Sequence, residues 1–480
     1  MVRARLANQR RGRFGEWGLL VLLGIVSLVL FTPRLYGADE IKYFALLRSV
    51  YFDGDIHYEN EYAYFIERDP VAHAGLVPMR DHVTSTGRRL NDGPIGSALL
   101  WAPFYVAADG FVVVARRLGS EVPRDGFSWP YVWAVSLGSL FWGTIGLFLT
   151  YRLCREYADS NSSTAALIGI WFATPVVFYL YITPPMAHAN SLFAVSLFLF
   201  VWIQTRDDRQ LWEWGILGAS AGLMVLVREL NWLVLLAPAV DELGEAWDVC
   251  RVARVESAFD SRGLFASWWH RFRSRAAGYV VAAVPMLLLV TPQIVIYRML
   301  HGTFGPTPFI VDKFESLPIH AGEVLFSGFH GLFSWSPITL IGVIGLLALS
   351  AARNGRVALA LAVVFVAQVL IIGSYDTWWG GASFGARRFI NCMPIFAIGL
   401  AALLTGLRSR AYRVAVAGIA VLIVWNLGLA VQYSTGLIPR DQPVAMSTIV
   451  RNQFLEVPPR LAGIAWRFIT DRSSFYQTRS

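Results

Sequence analysis

The hydrophobic positions of this chain neither alternate with polar ones nor keep to one helical stripe. They come in unbroken runs of roughly 15 to 23 residues, the length that carries an α-helix across a hydrocarbon core. The clearest runs are 17–33, 129–151, 164–182, 188–204, 211–227, 276–297, 337–351, 357–374, 389–407 and 414–431. Two further apolar stretches are interrupted or short: 94–115 contains Asp109 and ends at Arg116 and Arg117, and 230–240 carries Pro238. The pattern predicts an all-α polytopic membrane protein.

Arginine placement orders these runs. Arg3, Arg5, Arg10, Arg11 and Arg13 precede the first run, so the positive-inside rule makes 1–16 a cytoplasmic N-terminus and puts the next loop outside. Further arginines cluster at Arg152/Arg155, Arg206/Arg209, 251–275, Arg353/Arg356 and Arg408/Arg410/Arg413. All of these are cytoplasmic only if 230–240 crosses and 94–115 does not. The second stretch is then a juxtamembrane helix on the outer face, which leaves Arg116 and Arg117 outside. The expected bundle has about eleven spans within 17–431, a first outer loop at 34–128, a cytoplasmic loop at 241–275 and an outer tail at 432–480. That first outer loop is far longer than an ordinary connection. The start resembles a secretory n-region, but the apolar run ends in TPRLYGADE without a small-residue cleavage site and is read as a retained span.

Composition agrees with this class. The 480 residues are 55% hydrophobic and 15% charged, with a mean hydropathy of +0.49; a soluble domain carries about 25% charged residues. The net charge of +8 is almost entirely arginine, with lysine only at Lys42 and Lys313. In a membrane protein that excess faces anionic lipid, and no nucleic-acid motif accompanies it. Cys154, Cys250 and Cys392 are too widely spaced for a disulfide framework or a zinc site.

Candidate chemistry collects in the outer segments. LYGADEIKYFALLRSVYFDGDIHYEN, directly after the first span, holds Asp39, Glu40, Lys42, Asp55 and His57. It reads either as a solvated loop with a short amphipathic helix over 38–52, or as a base poised at the lipid boundary. Adjacent residues on a helix point about 100° apart, so one of Asp39 and Glu40 can face a substrate while the other braces the loop. Asp39, nearest the span, is the preferred base, and Asp55 is the second candidate. Asn91-Asp92-Gly93-Pro94 reads as a helix start. His188 follows a Pro-Pro turn at a span end, where a structural role competes with substrate contact. Arg228 and Glu229 interrupt two apolar runs, and insertion of such charges costs roughly 2.5–3.5 kcal/mol; they either pair or line a polar cavity, where an arginine binds phosphate. In YDTWWGGASFGARR (375–388), glycines allow tight turns, Trp378 and Trp379 suit an interface or a sugar face, and Arg387 and Arg388 suit phosphate or anchoring. His and Glu in 298–336 match no compact metal motif, so no metal or other cofactor is assigned.

Together, the acidic pair after the first span, Gly54-Asp55, the proline-led helix from Pro94, the Pro184 to His188 turn and Arg228 resemble the GT-C superfamily of glycosyltransferases. The resemblance is greatest to family 39, protein-O-mannosyltransferase-like and aminoarabinose-transferase-like enzymes, and the WWGGxSFGxRR stretch resembles bacterial relatives. Trp378-Trp379 is followed by Gly380, so the WWD motif of oligosaccharyltransferases is missing. The resemblance implies a GT-C-type bundle with outer-face juxtamembrane helices, in a bacterial inner membrane, with an outer cavity open to the bilayer. It implies a polyprenyl-monophosphate sugar donor and a glycan, lipid or protein acceptor. Asp39, with Glu40 and Asp55, would supply the catalytic acids; Arg228, Arg387 and Arg388 would hold the donor phosphate; Lys42, His57, His188, Trp378 and Trp379 would line the site. The competing class is a secondary transporter or lipid flippase, which predicts internal symmetry and broken helices.

Overall fold

The computed structural model describes residues 15–256, 261–307, 311–352 and 355–475. The five N-terminal arginines and Arg353 lie outside the described residues. Among those described, the chain is helical with no strand, only isolated bridges at Val83–Arg89 and Phe314–Tyr375. The helices are α1 (Glu16–Leu30), α2 (Ala38–Arg48), α3 (Glu59–Arg68), α4 (Val77–Asp81), α5 (Gly96–Arg117), α6 (Trp129–Cys154), α7 (Ser160–Phe172), α8 (Val176–Tyr181), α9 (Ala187–Thr205) and α10 (Leu211–Val227). A 3₁₀ segment, Glu229–Leu235, then runs into α11 (Leu236–Glu256), followed by α12 (Ser261–His301), α13 (Ala321–Phe326), α14 (Leu332–Trp335), α15 (Pro337–Ser350) and α16 (Arg356–Gly373). A second 3₁₀ segment, Arg387–Cys392, leads into α17 (Met393–Thr405), before α18 (Ser409–Ser434), α19 (Met446–Leu455) and α20 (Val457–Thr470).

Every apolar run of the sequence is helical. The 164–182 run is broken between α7 and α8, where Pro175 removes a backbone donor. The stretch 241–275, expected as a loop, is helical through Glu256 and again from Ser261. By length and composition, seven of the described helices can cross a membrane, α5 among them, while the apolar helices at α1, α10 and α15 are shorter. The seven do not coincide with the expected set of about eleven, because short helices and the 3₁₀ segment fall below that length.

Packing shows which ends lie together. Glu16 at the start of α1 meets Arg152 near the end of α6 at 3.8 Å, and Phe31 beyond the end of α1 meets Trp133 near the start of α6. The two helices are therefore antiparallel. α6 and α9 run parallel, with Trp142 on Phe193 and the Thr150 hydroxyl 3.0 Å from that of Ser196. Hence α2, the start of α6 and the start of α9 share one end of the bundle. The segment 229–241 runs from that end to the other: Asn231 is bonded to Ser191 near the start of α9, whereas Asp241 is bonded to Arg206 just past its end.

α5 is long enough to span but runs antiparallel along only the first half of α6. Trp142 donates to the Leu100 carbonyl, Trp101 to Ser139, and Phe111 meets Trp129. It does not reach the end where Glu16 meets Arg152. Its buried Asp109 accepts from Arg124 Nε and Nη2 at 2.9 and 2.7 Å, from the Tyr131 hydroxyl at 2.7 Å and from the Tyr51 hydroxyl at 3.0 Å. Four donors satisfy a carboxylate that would otherwise be costly in an apolar helix, and they tie α5 to the α2 end. The first residue of α5 must be small: a Cβ on Gly96 would lie 2.4 Å from the backbone of Leu226 and Val227. That contact seats the start of α5 against the end of α10.

Candidate active site

At the α2 end the helices leave a cavity of about 680 Å³. Its lining has polar residues, among them Asp39, Lys42, His188, Arg228, Arg387 and Arg388, and apolar ones, among them Leu230, Trp232, Val290, Ile294 and Ile371. The lining carries five cations, Lys42, Arg228, Lys313, Arg387 and Arg388, against three carboxylates, Asp39, Asp92 and Glu229. The surplus favours an anionic ligand.

α2 places its two acids in different roles. Glu40, 1% exposed, turns back and accepts from the Tyr36 and Gly37 N–H groups at 2.6 and 3.0 Å, closing the first turn of its own helix. Burial raises its carboxyl to about 7, against the opposing pull of those N–H groups and Arg34. Asp39, one position earlier, faces the cavity. Its Oδ1 lies 3.0 Å from Lys42 Nζ and its Oδ2 accepts from Arg387 Nη1 at 2.8 Å. Burial alone would raise this carboxyl, but Lys42 and Arg387 outweigh it and hold the group well below the usual carboxylate range. Lys42 also donates to Asp92 at 2.5 Å. Burial would lower the ammonium, yet Asp92 and Asp39 hold it above the ordinary lysine range.

Asn91 and Asp92 do not cap α5, which begins at Gly96 without a side-chain cap. They serve α2: Asn91 Nδ2 donates to the Lys42 carbonyl at 3.0 Å, and Asp92 holds the Lys42 ammonium. A capping pattern and a lysine-positioning pattern look alike in sequence, because both need short polar side chains in a turn.

The 375–388 stretch folds as a cradle. Gly380, Gly381 and Gly385 have φ of 84°, 71° and 60°, a region that residues with a Cβ seldom enter. These turns bring the Gly380 carbonyl to 2.7 Å from Arg387 Nη2. The Tyr179 hydroxyl accepts from the Phe384 N–H and donates to its carbonyl, pinning the loop to α8. Arg387 thus reaches Asp39 from a fixed base. Arg388 stacks its guanidinium over the Tyr375 ring at 4.5 Å, and its Nη1 is buried without a hydrogen-bond partner. Arg228 Nη1 lies 3.1 Å from His188 Nδ1, whose ring packs on Tyr179.

Six of the expected residues therefore meet around one cavity: Asp39, Lys42, His188, Arg228, Arg387 and Arg388. Asp55 and His57 do not reach it; Asp55 accepts from the Ser49 hydroxyl at 2.8 Å and the His57 N–H at 3.0 Å in the turn that follows α2. Trp378 and Trp379 border a small hollow behind Arg387 and Arg388, together with His330, a buried residue at φ 62° stacked on Trp335. Arg228 and Glu229 do not pair; both line the cavity, with Arg228 turned to His188. Asp92, Tyr43 and Tyr375 join the lining although the sequence marked none of them as a substrate group, and Glu229 lines it as one of its two expected alternatives. Among the described residues no group of three His, Cys, Asp or Glu is arranged to hold a metal ion.

No protein-family model and no curated protein matches the chain. Among solved structures, it is similar to ArnT from Cupriavidus metallidurans bound to undecaprenyl phosphate, with a TM-score of 0.49 and 14% identity over 95% of this chain and 77% of that one. It is also similar to the archaeal oligosaccharyltransferase AglB from Archaeoglobus fulgidus, in complex with an inhibitory peptide and a dolichol-phosphate, with a TM-score of 0.47 and 12% identity; there it spans 97% of this chain and 60% of that one.

Proposed function

We propose that this chain is an inverting glycosyltransferase that moves a sugar from a polyprenyl-monophosphate donor to a glycan, lipid or protein acceptor. The α2 end is the outer face of the membrane, in a bacterial inner membrane. The observation that carries this reading is Arg388: a guanidinium in the cavity with a buried, unpartnered nitrogen, beside Arg387 and Arg228 and across from Asp39. A buried cation without a partner is costly, and phosphate oxygens match the fork of an arginine. The apolar lining residues suit the first units of an isoprenoid chain.

The acceptor hydroxyl gives its proton to Asp39 while its oxygen attacks the anomeric carbon from the face opposite the phosphate. The bond from that carbon to the phosphate oxygen breaks, and its electron pair leaves on the lipid phosphate. The configuration inverts. Arg228, Arg387 and Arg388 offset the charge that develops on the departing oxygens, so the step needs no general acid. Glu40 supports α2 without touching substrate. A transporter or flippase would also use cavity charges, and it is separated from an enzyme by uptake without transfer.

The test is sugar transfer by purified full-length protein from polyprenyl-phosphate sugars, with Asp39→Asn beside it. Turnover should fall by roughly 10²-fold or more in the variant. Near-normal transfer by Asp39→Asn would overturn the assignment of the base, and sugar uptake into vesicles without transfer would overturn the enzyme.

A further inference from the structure

Asp39, as the structure shows it, is held by two cations that disfavour its protonated form. Both of its oxygens are engaged, Oδ1 by Lys42 at 3.0 Å and Oδ2 by Arg387 at 2.8 Å. The two contacts are not equivalent. Lys42 has a second carboxylate, Asp92, at 2.5 Å, and stays anchored whatever happens at Asp39. Among the described residues Arg387 has no second carboxylate; its Nη2 rests on the Gly380 carbonyl, and its Nη1 goes to Asp39. The next residue, Arg388, lines the same cavity and has a buried nitrogen without a hydrogen-bond partner, with Arg228 on the wall beside it.

We infer that Arg387 is a lock on Asp39 which the phosphate of the donor opens. This rests on the function proposed above. A phosphate held by Arg388 and Arg228 brings acceptor oxygens within reach of Arg387, and charge-assisted bonds to phosphate compete with those to a carboxylate. As Nη1 turns to the phosphate, Oδ2 of Asp39 is uncovered for the acceptor hydroxyl. The pull that keeps Asp39 acidic weakens at the same moment, which brings it closer to the strength that base catalysis needs. The other groups facing Asp39 do not undo this. Tyr43 on the same helix, His188 on α9 and Arg228 after α10 make no ion pair or hydrogen bond with it among the described residues, and Asp92 reaches it only through Lys42. Arg387 is in this sense a positioning residue as well as a phosphate ligand, and donor binding precedes activation of the acceptor.

The experiment measures affinity for a polyprenyl methyl phosphodiester, which has no sugar to transfer and keeps a single negative charge at every working pH. Four full-length proteins are compared in detergent: unaltered, Asp39→Asn, Arg387→Ala and the double variant, each checked for folding by thermal melting. Asp39→Asn should bind about tenfold tighter than the unaltered protein, because Arg387 is left with only a neutral, weaker acceptor in place of the carboxylate. In the Arg387→Ala background the same change should alter affinity by less than about twofold. Asp39→Ala, run in parallel, should have the same sign and covers the case in which the asparagine disturbs folding. Equal tightening in both backgrounds would mean that Asp39 acts by general repulsion, and the lock is overturned. Unchanged or weaker binding by Asp39→Asn overturns it as well. If Arg388→Ala, measured alongside, weakens binding while Asp39→Asn is silent, the phosphate site stands and the lock alone falls. If the unaltered protein does not bind the phosphodiester, the proposed function falls too.

Discussion

Both ends of the bundle are rich in arginine, and they use it differently. At the end where α1 starts, each of three arginines has carboxylates to spare. Arg206 grips Asp241 with two nitrogens at 2.9 and 2.8 Å. Arg275 is paired with Glu242 and lies 3.4 Å from Glu245, and Arg356 reaches Glu245 and Asp248 at 3.5 and 3.3 Å. At the α2 end the supply runs short. Among the described residues Arg387 has one carboxylate, Arg228 a histidine nitrogen, and Arg388 a tyrosine ring and a buried nitrogen without a partner. Pairs that satisfy one another hold helices together and leave nothing for a ligand. A cluster with more cations than acids gains from an anion that completes it, which is a mark of binding sites.

The sharpest way to break this comparison is at Asp39. Loss of its carboxylate should reduce turnover by roughly 10²-fold or more without loss of donor binding, read by measuring transfer and donor affinity separately on Asp39→Asn. A protein that loses both equally would make Asp39 a structural group like Asp241. Next in size is a matched pair of arginine deletions. Arg388→Ala should weaken donor binding by the loss of a charge-assisted contact, roughly 1.5–3 kcal/mol, with little change in melting temperature. Arg206→Ala should do the reverse, lowering stability by roughly 1–3 kcal/mol through the partner left behind while donor affinity stays put. Equal effects on donor affinity would erase the distinction between the two ends.

A smaller effect is expected at Glu40, where the folded carboxyl titrates at about 7, above its unfolded value of about 4.3. Between those values the folded state holds more proton than the unfolded one, so this group's contribution falls as pH rises through that window. Glu40→Gln keeps an acceptor for the Tyr36 and Gly37 N–H groups but does not ionise. Its melting temperature relative to the unaltered protein should therefore rise between pH 5 and pH 7.5; a constant difference would show that Glu40 does not titrate there. The last test concerns sidedness and involves little energy. Cysteines at Ser85 and Ser120 flank α5, and an impermeant reagent added from outside should label both. Protection of Ser120 with labelling of Ser85 would mean that α5 crosses.

The helical class was legible because apolar runs of membrane length admit few structures other than a helix. The asymmetry of arginine also anticipated that Arg152, Arg206, Arg275 and Arg356 would gather at one end, since charge on a span end has few places to go. The status of α5 was harder, because its length argues one way and its neighbours the other; only Asp109, with donors from Tyr51, Arg124 and Tyr131, shows how it stays with the α2 end. The site was half legible. Asp39, Lys42, Arg228, Arg387 and Arg388 stood out as charges beside apolar runs, whereas Asp55 and His57 stood out for the same reason and serve a local turn.

What the sequence by itself determined is the helical class, the order of the apolar runs and the surplus of arginine, because each follows from local composition and from the energy of placing charge near hydrocarbon. What only the tertiary structure decided is which charges meet. Arg387 and Asp39 lie 348 positions apart, and their contact exists because the glycine turns of 375–388 aim one of them and the first turn of α2 aims the other. Glu40 and Asp39 are neighbours with the same chemistry, yet one closes its own helix and the other faces the cavity. A helix turns about 100° per residue, and which of two adjacent acids it presents depends on what packs against it.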